Sequence, residues 1–138
     1  MKSAWSTLFL CWLLSAIGTT GSLFFSNVMD LSPCVLCWYQ RIALFPLVLI
    51  LGVGLFPFDA RVVRFALPLA LAGWAVAAFH NLVYWGLIPE RLQPCSAGVS
   101  CAHRDLNLLG FVSIPLLSLA AFSGIIALLF VVHRSQKP

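Results

Sequence analysis

The chain has 138 residues, 62% of them hydrophobic and 9% charged, with mean hydropathy +1.02 and a formal net charge of +4. A soluble domain of this size is closer to half apolar and a quarter charged, so these values exclude an ordinary globular protein and point to an integral-membrane domain. The basic residues are scattered singly without a shared face, which speaks against nucleic acid and makes them topology signals.

In chain order, a lysine at position 2 precedes an uncharged run over residues 4–28. That run exceeds the roughly 20 residues a span requires and lacks a clean small-x-small cleavage site, so it is predicted as a retained first helix, not a signal peptide. A short loop over residues 26–33 leads to a second span over residues 34–56. Pro57-Phe58-Asp59-Ala60-Arg61 reads as a tight hairpin link to the third span, residues 62–85, where Tyr84 and Trp85 are placed for an interfacial belt. A longer polar loop over residues 86–107 contains Pro89, Pro94 and Gly98, and the fourth span covers residues 108–132 before a short basic tail. Pro46, Pro68 and Pro115 fall inside spans, where kinks are expected and neighbours can re-satisfy the freed carbonyls. The predicted fold is an all-α membrane protein, a four-transmembrane-helix bundle forming one domain over residues 1–138.

Lys2, Arg61, Arg64, Arg134 and Lys137 gather on one side of such a bundle, against Arg41, Arg91 and Arg104 on the other. The richer side is expected to be cytoplasmic, with both termini there and the loops over residues 26–33 and 86–107 outside.

The five cysteines fall as Cys11, then Cys34 with Cys37, then Cys95 with Cys101. Both close pairs lie on the outer side, in a compartment that favours oxidation. Ser32 is a candidate N-cap and Pro33 a favoured first helical residue, which puts Cys34 in a first turn, where unpaired N–H groups and the helix dipole favour a thiolate. Arg41 follows Cys37 by four residues and shares its helix face. A cation near a helix N-terminus and just inside a membrane is doubly unfavourable unless it serves an anion. Residue logic leaves three readings of Cys34 and Cys37: a chance pair of small apolar residues, half of a zinc site completed by Cys95 and Cys101, or an exchanging disulfide. Cys95 and Cys101 read equally as a loop staple or as a shuttle. Closing so short a ring stabilises by only about 2.4 kcal/mol in the chain-entropy model. His80 is an ionisable group near the outer edge of the third span and hence a functional candidate. His103 and Arg104 flank Cys101, Cys11 reads as a small buried apolar residue, and His133 belongs to the tail.

The run Cys34-Val35-Leu36-Cys37-Trp38-Tyr39-Gln40-Arg41-Ile42, followed by a loop Pro94-Cys95-x5-Cys101, resembles the DsbB family of disulfide-generating membrane oxidoreductases, above all its short BdbC-type members. The likeness covers nearly the whole chain, including the short turn, His80, and the Gly110-Phe111 to Ile114-Pro115 stretch. It implies a protein-dithiol:quinone oxidoreductase of a bacterial cell membrane. Cys34, Cys37, Cys95 and Cys101 would be catalytic as the redox-active disulfides Cys34–Cys37 and Cys95–Cys101. Arg41, Cys37 and His80 would face the cofactor, a menaquinone or ubiquinone, with no metal. The implied partners are a DsbA/BdbD-like thioredoxin-fold oxidase, the membrane quinone pool and lipid. Such a relay keeps the bacterial periplasm oxidising. A vitamin K epoxide reductase-like enzyme is the rival, although there the loop pair is expected first and C-x-x-C late. A non-catalytic membrane protein with structural disulfides is the other alternative, and it leaves Arg41 unexplained.

Overall fold

The computed structural model describes residues 2–30, 35–89, 92, 107–108 and 112–137. Four helices dominate it: α1 (Lys2–Asn27), α2 (Val35–Leu55), α3 (Val63–Tyr84) and α4 (Ile114–Ser135). Each is long and apolar enough to cross a membrane. Their outward faces are apolar as well. Leu49, Val53, Phe65 and Ile42 are all more than 60% exposed, a surface that water would not tolerate and lipid does. The molecule is an all-α, multi-pass membrane bundle.

Each helix packs on its sequence neighbours, and α1 closes the ring against α4. Leu8, Leu47, Leu51, Ile125 and Leu129 fill the centre, each fully buried. Lipid gives helices no hydrophobic reason to associate, so close approach and hydrogen bonds must hold them together. Gly73 lets α3 meet the ring of Phe122 on α4 at a point where any Cβ would overlap that ring. Nearby, the Trp74 indole N–H donates to Ser123 Oγ at 3.0 Å. Asn81, 2% exposed, donates Nδ2–H to the carbonyls of Ala77 and Pro115, both at 2.8 Å, and so ties α3 to the first turn of α4. The Cys11 thiol donates to the Ile125 carbonyl at 3.7 Å between α1 and α4, which makes it a core group.

The α2–α3 link is the short turn expected from its composition. Asp59 Oδ1 accepts from the Arg61 N–H at 2.9 Å and opens a 3-10 turn, Ala60–Val62, that leads directly into α3.

The fourth helix begins later than hydropathy indicated. A start near residue 108 was expected, but Asn107–Leu108 (β1) and Val112–Ser113 (β2) pair antiparallel, and α4 starts at Ile114. The physical reason lies in two residues. Ser113 is the N-cap, its Oγ accepting from the Leu116 N–H at 3.4 Å, and Pro115 occupies the first turn. Pro115 therefore starts a helix and does not kink one, whereas Pro46 and Pro68 do lie inside α2 and α3.

Candidate redox and ligand site

Cys37 sits in the first turn of α2, half-buried, and Arg41 follows one turn later on the same face. Both line a mostly apolar cavity of about 340 Å³ between α1, α2 and α4. Its apolar wall includes Ile17, Phe25, Leu44 and Leu117, and its polar groups come from Ser22, Ser26, Gln40 and Ser118 besides the cysteine and arginine. A concave, apolar site with a few convergent polar groups is the usual form of a small-molecule site, and this volume lies within the usual range.

Arg41 is 8% exposed although it carries a full charge. Its Nε–H donates to Ser22 Oγ at 2.6 Å and its Nη2–H to the Ser22 carbonyl at 2.7 Å, both on α1. The guanidinium also lies 5.2 Å from the centroid of the Trp38 ring. Among the described residues no carboxylate partners it. Burying a cation against neutral dipoles alone costs free energy that an anion in the cavity would return.

Gln40 approaches the cavity from the next position on α2. It is 8% exposed, and its Nε2 lies 3.1 Å from Nδ1 of His80 on α3. With the amide as placed, Gln40 Nε2–H donates to His80 Nδ1. His80, 3% exposed, is outside the cavity lining and meets it through Gln40. Trp38 and Tyr39 are about half exposed, and only Trp38 reaches the site, through Arg41. His133 lies in the last turn of α4.

The arrangement brings Cys37 and Arg41 to one cavity and sets His80 one residue behind it. Cys34, Cys95 and Cys101 lie outside the described residues, as do Ser32, Pro33, His103 and Arg104, and with them both cysteine pairings and the zinc reading. Among the described residues no three metal-ligating side chains cluster. Two site residues carried no assignment from the sequence. Gln40 stood unweighted inside the C-x-x-C-W-Y-Q-R run. Ser22 is one hydroxyl among the small residues of α1, and only its contact with Arg41 singles it out.

The family model described as "Disulfide bond formation protein DsbB" matches residues 3–132. The chain belongs to the DsbB family. Among relatives, a "Probable disulfide formation protein" of Metapseudomonas resinovorans is 45% identical over 135 residues, covering 97% of this chain and 94% of the relative. "Disulfide bond formation protein C" of Bacillus subtilis is 41% identical over 126 residues, 91% of each chain. A "Probable disulfide formation protein" of Chlamydia trachomatis is 42% identical over 129 residues, with 94% and 93% covered. No solved structure matches significantly. Membership in the DsbB family extends across all four helices, including the α1 residues that wall the cavity.

Proposed function

We propose that this chain is a protein-dithiol:quinone oxidoreductase of a bacterial cell membrane that reoxidises an extracytoplasmic thioredoxin-fold oxidase. The observation that carries the reading is a buried arginine without a described carboxylate partner, facing the same cavity as Cys37. The pocket suits a quinone head group on chemical grounds. Its walls are apolar, the Arg41 N–H groups can meet a ring oxygen, and the Gln40 amide offers a second polar contact.

In the proposed cycle the reduced partner attacks the Cys95–Cys101 disulfide, with Cys95 forming the mixed disulfide. The partner leaves oxidised, and Cys95 and Cys101 remain as thiols. Thiol–disulfide exchange then passes the electron pair to Cys34–Cys37 and re-forms the loop disulfide. A quinone in the cavity would accept the two electrons and two protons released when Cys34 and Cys37 close their disulfide again. Cys37 reaches the cavity from the start of α2, where unpaired N–H groups favour negative charge. Arg41 holds charge on the oxygen side of the ligand, and His80 fixes the rotamer of Gln40. The basic turn with Arg61 and Arg64 and both termini are cytoplasmic, and the Cys37 end is outside.

The test is quinone reduction by the purified protein supplied with a reduced thioredoxin-fold oxidase, followed by quinone absorbance. Turnover by the wild type with none in Cys37→Ser or Cys95→Ser supports the relay. Cysteines that stay oxidised while an active partner and quinone are present would sink it and favour a structural role for both pairs.

A further inference from the structure

We propose that Ser22 is a positioning residue of this site, which takes the Nε/Nη2 edge of the Arg41 guanidinium and leaves its Nη1/Nη2 end for one ligand oxygen in the cavity. The proposal rests on the quinone reading above and deepens it by giving α1 a role in presenting the arginine.

A guanidinium carries five N–H donors in a fixed plane. Ser22 engages two of them with two acceptors of one residue: Oγ takes Nε–H at 2.6 Å and the backbone carbonyl takes Nη2–H at 2.7 Å. That carbonyl lies within α1, which continues to Asn27, so the arginine uses its second lone pair. Trp38 lies 5.2 Å from the guanidinium carbon and adds a face contact. One edge of the plane is thereby taken and the group cannot swivel. The N–H groups left over are the two on Nη1 and the second on Nη2. One N–H of Nη1 and the free N–H of Nη2 lie side by side at the end of the side chain, a geometry suited to a single carbonyl or oxyanion oxygen, and the other Nη1 N–H faces the Cδ side. Arg41 and Ser22 both line the cavity, so the fixed group is also the one available to a ligand. Without the Oγ contact the guanidinium keeps only the carbonyl bond and can pivot about it.

A serine between helices can also serve as simple packing glue, and the experiment separates the two roles. Ser22→Ala, Ser22→Val and Ser22→Thr are made in the full chain. Thr and Val share a shape and differ in the hydroxyl. Binding of a short-tailed benzoquinone is read by quenching of tryptophan fluorescence, and KM and kcat for the same quinone are measured with a reduced partner. A positioning role predicts that Ala and Val weaken binding and raise KM about 5- to 10-fold with kcat within about twofold, while Thr stays within about twofold of wild type. Equal behaviour of Val and Thr, whether both lose binding or neither does, overturns the proposal and leaves the quinone reading standing. Absence of saturable quenching in the wild type would instead remove the quinone reading and the Ser22 role with it.

Discussion

Arg41 is the residue whose placement costs most and explains most. It is 8% exposed, and its described partners are a hydroxyl, a carbonyl and an aromatic ring, none of them anionic. Hydrogen bonds to charged groups contribute about 1.5–3 kcal/mol, so losing the guanidinium should matter when an anionic ligand forms and little otherwise. Arg41→Ala is therefore expected to raise the apparent KM for quinone at least about tenfold while both disulfides still form, measured by quinone titration and thiol alkylation. His80→Ala should have a smaller effect, a rise of a few fold, because it acts through Gln40 at 3.1 Å. Cys34→Ser and Cys37→Ser should each abolish turnover. That Cys37 and Arg41 share one helix face and so one cavity was legible as a spacing of four. The partner of Arg41 was not, because Ser22 is 19 positions upstream and nothing local in the sequence links the two.

At the scale of elements, the four helices could be read directly, since an apolar run of sufficient length has little alternative in lipid. Their packing could not. Helices apolar all round give no periodic stripe, so the choice of inward face rests on single small residues. Gly73 is one such residue. Gly73→Val should destabilise the bundle by about 1–3 kcal/mol through overlap with the buried Phe122 ring. That outweighs the ~1 kcal/mol or less that the helix backbone gains by losing a glycine. Thermal unfolding in detergent measures it. Asn81→Leu should cost about 1 kcal/mol or less through loss of the α3–α4 hydrogen bond, because the Pro115 carbonyl keeps the Ser118 hydroxyl as donor. The start of α4 was misjudged because hydropathy outvoted the cap: Ser113 and Pro115 together are a start signal that a window of apolar residues hides.

For the whole molecule, the two ends of the bundle differ in the residues they gather. Cys37, Arg41 and the cavity lie toward one end, while the Asp59 turn with Arg61 and Arg64 lies at the other. Charge distribution predicts that the turn is cytoplasmic. A membrane-impermeant maleimide should thus label Arg61→Cys only after intact cells are opened, and labelling beforehand would invert the topology.

The most direct test removes the partner and asks for one turnover. Fully reduced protein is mixed anaerobically with one equivalent of a short-tailed quinone, while quinone absorbance and the total disulfide formed across Cys34–Cys37 and Cys95–Cys101 are followed together. The account predicts quinone loss and disulfide gain at the same rate and in equal amounts, both slowed at limiting quinone in Arg41→Ala and absent in Cys37→Ser. Quinone reduction that persists in Cys37→Ser, or a disulfide that forms without quinone loss, would contradict it.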